Sequence, residues 1–227
     1  MPGFALDQAY NCVNRLDDEL AKSIEFAFDN RFGYLTSCAT NLGTGMRASV
    51  MMFLPALTME NMIEGCITDV GRLNMTVRGV YGEGSKAEGY LYQVSNQRTL
   101  GVKEGDILDA VKGAINHIVD AELRARRLLM RDEDELKDKI FRAFGILTNA
   151  YKLSTAETMS FLSLVRLGGY YGYLDIVDYD EFQRLITNCQ PASMQRLGGS
   201  NMSADERDAL RARYIASGLG KICKRNR

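Results

Sequence analysis

The sequence predicts an α+β fold in which an antiparallel sheet flanked by helices is followed by an all-helical C-terminal region. Three observations predict it. The chain opens with apolar residues at three- and four-residue steps, which is typical of an amphipathic helix. Short β-rich segments bounded by Gly or Asn then follow as far as Ser95. Beyond Gly101 the apolar spacing is wholly helical.

In the first half, the apolar stripe predicts a helix from Leu6 to Phe28. The strands that follow are short and rich in residues that favour extended backbone. Between the second and the third predicted strand, the apolar residues have helical spacing. The predicted strands are Tyr34 to Cys38, Ala48 to Leu54, Asn74 to Tyr81 and Gly89 to Ser95, and the intervening helical segment is Ala56 to Leu73.

The second half predicts two long helices, the first with a stripe that begins at Ile107 and the second after Asp132. Ser154 and Glu157 have the spacing of a capping box, in which the serine hydroxyl caps a backbone N–H three residues on and the glutamate reaches back. They predict a helix that ends near Gly168. A short helix from Tyr179 to Ile186 and a last helix after Ser203 complete the prediction.

Composition excludes several classes of protein. Lys and Arg total 28 against 29 acidic residues, so attraction to nucleic acid through net charge is not expected. A run of about 18 apolar residues, which a membrane span needs, is missing, and the start lacks the basic and apolar regions of a signal peptide. These patterns predict a cytoplasmic protein that does not bind a membrane.

The five cysteines are odd in number and scattered without the spacing of metal ligands. This pattern is typical of reduced thiols, so we expect neither a disulfide nor a zinc or other metal site. The only histidine, His117, lies in a predicted helix without a triad or ligand partner. We interpret it as a structural or surface residue.

Two blocks combine residue types suited to phosphate chemistry. The block from Phe32 to Val50 carries the thiol of Cys38, a glycine turn and Arg47. The block from Val77 to Ser85 carries an arginine and a carboxylate beside glycines, which allow the backbone to approach a ligand closely. A guanidinium fork can hold two phosphate oxygens at once. Taken singly, each arginine is more simply interpreted as part of a surface salt bridge.

Together the two blocks resemble the bacterial protein arginine kinases, which share the ATP:guanido phosphotransferase domain with creatine and arginine kinases. The resemblance implies ATP and Mg²⁺ as cofactors. It also implies a nucleotide site built from two segments, namely Arg47, Ala48, Ser49, Val50 and Met51, and Arg78, Gly79, Val80, Tyr81, Gly82 and Glu83.

Two further residues are implied to be catalytic. Glu83 would orient the acceptor guanidinium and take its proton, and Cys38 stands at the family's reactive-cysteine position, where positive charge would stabilise its thiolate. The plainer interpretations are a solvated turn glutamate and an ordinary buried thiol. The chain departs from the family at Ala39, where proline is usual, and at Met51, where the metabolite kinases carry histidine.

Near the C-terminus, the residues Arg207, Asp208, Arg211 and Ala212 match the phosphoarginine-binding motif of the same enzymes. On a helix, Arg207 and Arg211 are four residues apart and share a face, so they are expected to clamp a phosphate while Asp208 engages a guanidinium. The resemblance favours an allosteric phosphoarginine site. Without the resemblance, the segment is more simply interpreted as a solvated, charged helix face.

The resemblance divides the chain at residue 130: residues 1–130 are the C-terminal part of the catalytic domain, and residues 131–227 form a helical phosphoarginine-binding and dimerisation region. The family's upstream nucleotide motif and acidic segment are not recognised, so we expect a truncated, internally started, split or degenerate relative. The implied partners are protein substrates with exposed arginines, a second copy of the chain, a zinc-binding activator, a heat-shock repressor and the Clp protease.

The sequence alone therefore leaves two candidate functions. The first is phosphorylation of protein arginines, which marks proteins for Clp-type degradation. The second is a catalytically incompetent module that binds phosphoarginine and mediates oligomerisation. A kinase for a small guanidino metabolite ranks last, because its substrate loop is normally contributed by the upstream region.

Overall fold

The structure, a computed structural model, describes residues 3–79, 88–199 and 202–226. They divide into two compact units. The first comprises the described residues up to Gly79 together with Leu91–Arg126, and the second comprises Glu88–Tyr90 and the described residues from Arg127 onward. Each unit is built around its own apolar core.

In the first unit, helix α1 spans Leu6–Ala21 and ends earlier than the prediction of Phe28. Its apolar side chains are largely exposed; Val13, for example, is 65% exposed, and only Leu6 of this helix is buried. Periodicity identified the helix, but it did not determine how much of the apolar stripe is buried.

A short hairpin of β1 (Phe28–Asp29) and β2 (Gly33–Tyr34) follows. The Asp29 carboxylate accepts the backbone N–H groups of Arg31 and Phe32, which closes the turn. Of the strand predicted from Tyr34 to Cys38, only Tyr34 lies in β2, because the chain turns after it. The Thr36 hydroxyl donates to the Cys38 carbonyl, and Ala39–Asn41 form a 3₁₀ turn.

The main sheet has three antiparallel strands, β3 (Ser49–Phe53), β4 (Met75–Gly79) and β5 (Leu91–Asn96), in the order β3-β5-β4. All three were predicted with bounds that differ by at most two residues where the structure describes them. The end of the third predicted strand, Val80 and Tyr81, lies outside the described residues.

Three helices accompany the sheet: α2 (Pro55–Met59), α3 (Ile63–Gly71) and α4 (Glu104–Leu129). The predicted helical segment is broken between α2 and α3, where Asn61 takes a left-handed backbone with φ 56°. Glu122 of α4, which is 4% exposed, accepts the N–H groups of Ala56 and Leu57 at 3.2 and 3.0 Å. A carboxylate thus caps the start of α2, where free N–H groups favour negative charge.

The second unit contains α5 (Glu133–Asn149), α6 (Thr155–Tyr170), α7 (Tyr179–Asn188), α8 (Pro191–Gly198) and α9 (Ala204–Ile222). The predicted capping box opens α6, and a second one, Ser203 with Glu206, opens α9. This helical region also holds a small antiparallel ribbon of β6 (Leu174–Ile176) and β7 (Cys223–Arg225), which the sequence did not predict.

Among the described residues, no helix combines the length and the apolar character that crossing a membrane requires.

We predict that Glu122→Ala lowers the free energy of unfolding by about 3 kcal/mol, because two backbone N–H groups and the Arg126 guanidinium lose a buried partner. Urea unfolding followed by circular dichroism measures the change. The matched control is Asp120→Ala, an exposed acid on the same helix, which should change stability by less than about 0.5 kcal/mol. Equal effects of the two substitutions would contradict the capping role.

Candidate functional site

The register of the main sheet brings predicted nucleotide residues onto one face. Met51 of β3 lies opposite Gln93 of β5, which in turn lies opposite Arg78 of β4. Because directly opposed residues point to the same side of an antiparallel sheet, these three side chains form a row across it. Ser49 and Thr76 flank Ser95 in the next row of the same face. We call this surface the polar face.

Arg47 joins the polar face from the segment just before β3. Its Nη2 atom donates to the Ser95 hydroxyl at 3.0 Å, although Arg47 is itself exposed. Arg78 is half-buried, and Met51 is 49% exposed. Two guanidinium groups and an accessible thioether thus share one side of three strands. This arrangement suits a ligand that carries both phosphates and an aromatic ring.

The opposite face of the sheet is apolar and buried, with Met52, Met75, Tyr92 and Val94 all at most 7% exposed. Val50 also faces this side, because it alternates with Ser49 and Met51 along β3. Ala48 is buried, and its N–H donates to the Asn96 side-chain carbonyl at 2.8 Å. The structure therefore places Val50 on the side of the sheet opposite Arg78. Ala48, in contrast, lines a groove together with Arg47 and Ser49.

A groove of about 210 Å³ lies beside Arg47 and Ser49. Its other wall is the apolar side of α1, including Tyr10 and Val13. Tyr10 donates its hydroxyl hydrogen bond to the Glu104 carboxylate, and this bond raises the pKa of the tyrosine. Sequence reasoning missed these lining residues, because a periodic apolar stripe is ordinarily assigned to the core.

Cys38 lies in the loop before β3, where its side chain is exposed. Its Sγ atom is 2.9 Å from the Thr40 hydroxyl, and Thr99 ties the loop down by donating to the Thr40 and Leu42 carbonyls at 3.0 and 2.8 Å. Hydrogen bonds from the Thr40 hydroxyl and backbone lower the pKa of the thiol. The thiolate is thus favoured by hydrogen bonding, whereas the resemblance implied stabilisation by positive charge.

Gly79, the last residue of β4, is buried opposite Tyr92. The remaining predicted nucleotide residues, Val80, Tyr81 and Gly82, and the predicted catalytic residue Glu83, lie outside the described residues.

The C-terminal motif lies on α9 of the second unit. Arg211 is only 1% exposed. Its Nε donates to the Cys189 carbonyl and its Nη1 to the Leu153 carbonyl, both at 2.7 Å, and Nη1 also contacts the Asp208 carboxylate. The guanidinium that Asp208 engages here is therefore that of Arg211. Ala212 is fully buried beside it.

Arg207 is half-buried and donates to the Met202 carbonyl at 2.8 Å and to the Gln195 side chain at 3.3 Å. Helical spacing placed the two arginines on one face, but their surroundings differ. Arg211 is bonded to groups inside the unit. The clamping of a phosphate by both arginines stays a prediction. Arg207 is the more accessible member of the pair.

All five cysteines are free thiols, with Cys12 and Cys38 exposed and the other three buried. In the described ranges, the His, Cys, Asp and Glu side chains form no cluster of three that suits a metal ion. His117 is exposed on α4.

The sequence profile of the ATP:guanido phosphotransferase C-terminal catalytic domain matches residues 1–125. That of the protein-arginine kinase McsB C-terminal domain matches residues 133–227. The chain belongs to the ATP:guanido phosphotransferase family.

The chain is 44% identical over 222 residues to the protein-arginine kinase of Caldanaerobacter subterraneus subsp. tengcongensis, covering 97% of this chain and 66% of that protein. It is 42% identical over 218 residues to the protein-arginine kinase of Clostridium kluyveri, covering 96% of this chain and 63% of that protein. This chain therefore spans less than two thirds of the length of these relatives.

Two solved structures are also similar. A lombricine kinase is 29% identical, with a TM-score of 0.43 over 51% of this chain and 31% of that chain. The duplicated taurocyamine kinase from Schistosoma mansoni, solved with transition-state analogue components, is 34% identical, with a TM-score of 0.45 over 53% of this chain and 16% of that chain.

We predict that Thr40→Val raises the pKa of Cys38 toward the ordinary thiol value of about 8.5, because the valine cannot hydrogen-bond the thiolate. The rate of alkylation by iodoacetamide between pH 5 and pH 10 reports the pKa, with Cys12→Ser present to remove the other exposed thiol. The control is Thr44→Val. An unshifted profile in Thr40→Val would show that Thr40 does not set the reactivity.

We also predict that Arg211→Ala costs about 3 kcal/mol of unfolding free energy, because it leaves the Asp208 carboxylate and two carbonyls without their donor. Arg207→Ala, a matched change one helical turn away, should cost about 1 kcal/mol or less. Urea unfolding compares them. A smaller loss in Arg211→Ala than in Arg207→Ala would refute the assignment of Arg211 as the structural member.

Proposed function

We propose that this chain takes part in protein arginine phosphorylation, in which the γ-phosphoryl group of ATP is transferred to arginine side chains of proteins. Membership of the guanido phosphotransferase family and the names of its relatives support the reaction class. The observation that carries the proposal is the polar face, where Arg47, Met51 and Arg78 share one side of the sheet.

On this proposal, Arg47 and Arg78 bind the phosphates of ATP. Phosphoryl transfer spreads negative charge over phosphate oxygens, and fixed guanidinium groups stabilise that charge without having to reorganise. Met51 packs its thioether on the adenine ring. Ser49 offers a hydroxyl on the same face, while Ala48, Val50 and Gly79 maintain the strands that carry these side chains.

Mg²⁺ fits this arrangement as the ion that travels with the nucleotide. It usually keeps several waters and is bound largely by substrate phosphates, so it does not require a cluster of protein carboxylates. It would neutralise charge on the phosphates during transfer. The segment from Val80 to Glu83, which directly follows β4, is proposed to continue the nucleotide site.

For the acceptor side, we assign Glu83 as the residue that orients the substrate guanidinium and accepts its proton. A guanidinium nitrogen then forms a bond to the γ-phosphorus, the bond from that phosphorus to the bridging oxygen breaks, and ADP leaves. Cys38 contributes a thiolate favoured by Thr40, which attracts the cationic acceptor without forming a covalent bond.

Residues 131–227 are proposed to bind phosphoarginine and to pair with a second copy of the chain. Their match to the McsB C-terminal domain supports this assignment. Within the motif, Arg207 is assigned to the phosphate, while Asp208, Arg211 and Ala212 shape the helix that presents it. A phosphoarginine that engages Asp208 would have to displace the Arg211 contact.

The proposed setting is the bacterial cytoplasm. There, modified proteins with exposed arginines would pass to a Clp protease, with a heat-shock repressor among the substrates and a zinc-binding protein as activator. The near balance of charge supports a function without direct nucleic-acid binding.

The test is transfer of radiolabelled phosphate from ATP with Mg²⁺ to an arginine-rich protein. We expect an acid-labile label, because a phosphorus–nitrogen bond hydrolyses in acid, and a loss of about 100-fold or more in Glu83→Gln. Glu64→Gln, a change of an exposed glutamate on α3, should retain the label.

Absence of label in the unmodified chain would contradict catalysis by this chain alone. If that chain still bound phosphoarginine and Arg207→Ala abolished the binding, the result would instead establish a phosphoarginine-binding module.

A further inference from the structure

The residues just before the central strand belong to the second unit. Glu88–Tyr90 form a short 3₁₀ turn that packs against α6, whereas Leu91, the next residue, begins β5 in the first unit. The residue that directly precedes β5 therefore lies in a turn that contacts α6.

This turn has an unusual backbone. Gly89 has φ 65° and ψ 25°, and Tyr90 follows with φ 57°. Glycine adopts the left-handed region freely, but a bulky residue such as tyrosine does so rarely and only where its surroundings impose it. Tyr90 is half-buried, and burial raises the pKa of its hydroxyl. The left-handed backbone of this turn therefore requires stabilising contacts with neighbouring residues.

Ser163 of α6 provides such a contact. It is 6% exposed, and its Oγ lies 2.6 Å from the Gly89 carbonyl and 2.8 Å from the Met159 carbonyl of its own helix. A serine hydroxyl has one proton, and the shorter distance favours donation to Gly89. A Cβ at Gly89 would lie 2.9 Å from Ser163 Oγ and 3.2 Å from Met159 Cε, so the helix and the turn are in close contact.

We propose that Ser163 is a positioning residue for β5, which acts by holding the Gly89–Tyr90 turn. Leu91 pairs with Phe53, and two residues further on Gln93 lies between Met51 and Arg78. Because β5 is the central strand, a change at its start alters its pairing on both edges. The consequence for nucleotide binding, though not the positioning itself, rests on the proposed function.

Hydrogen–deuterium exchange of the whole chain tests the positioning. In Ser163→Ala, the amides of Leu91 to Gln93 should exchange about threefold to tenfold faster, which corresponds to the loss of one buried hydrogen bond. Ser160→Ala makes the same change on the same helix and should leave β5 unaffected. Ser163→Thr, which restores a hydroxyl, should bring the exchange of β5 back toward its original rate.

Unchanged exchange in β5, or faster exchange confined to α6, would overturn the proposal, because either result would limit Ser163 to the stability of its own helix. If Ser163→Ala does not fold, Ser163→Cys replaces it, since cysteine is similar in size but is a weak hydrogen-bond donor.

Calorimetric titration with Mg²⁺–ADP tests the consequence. Ser163→Ala should weaken binding about threefold to tenfold, whereas Ser160→Ala should not. If the unmodified chain binds no nucleotide, the proposed function fails, while the exchange comparison still decides whether Ser163 positions β5. A further outcome is that Ser163→Ala exchanges faster in β5 and yet binds nucleotide as tightly as the unmodified chain. In that case Ser163 positions β5 without affecting nucleotide binding at the polar face, and the proposed consequence is wrong.

Discussion

The polar face depends on the antiparallel pairing of β5 with both of its neighbours. This one strand determines which residues of β3 and β4 stand side by side, and so it places Met51 and Arg78 in the same row although they are distant in sequence. A shift of one residue would turn every side chain of a strand to the other side of the sheet. The buried face prevents such a shift, because polar Gln93 would then replace apolar Val94 or Tyr92 in the core.

In the second unit, the corresponding constraint is the buried charge of Arg211. An unpaired guanidinium in an apolar interior is costly, and its hydrogen bonds to two carbonyls and the Asp208 carboxylate offset that cost. These contacts connect α9 with the ends of α7 and of the loop before α6. The two arginines of the sequence motif therefore differ: Arg211 is buried and connects these elements, whereas Arg207 is half-buried and bonded to Met202 and Gln195.

Much of the fold follows from local sequence. Hydroxyl and carboxylate residues three apart predicted the start of α6, and β-rich segments bounded by Gly or Asn predicted β3 and β5, because these signals depend on neighbouring residues alone. The β6–β7 ribbon was missed, since each strand has three residues and the partner lies far away in sequence. Helix α8 was also missed, because no helix was predicted between Ile186 and Ser203, although Pro191 stands in its first turn, where proline is favoured.

The candidate site was likewise predictable only in part from the sequence. Residue types and motif resemblance made Arg47, Arg78 and Cys38 candidate site residues, but the row that joins Met51 to Arg78 requires the register of three strands. Helical spacing treated Arg207 and Arg211 as equivalent, whereas tertiary packing buries only the second. For α1, periodicity predicted an amphipathic helix, but the exposure of most of its apolar stripe could not be predicted from spacing alone.

The central claim is that the polar face binds the phosphates of a nucleotide through Arg47 and Arg78. The most direct measurement is NMR of the arginine guanidinium groups in ¹⁵N-labelled protein during titration with Mg²⁺–ADP. The account predicts that the Nε signals of Arg47 and Arg78 shift with a common saturation curve, while that of the buried Arg211 does not. Saturating nucleotide that leaves the signals of both Arg47 and Arg78 unmoved would contradict it.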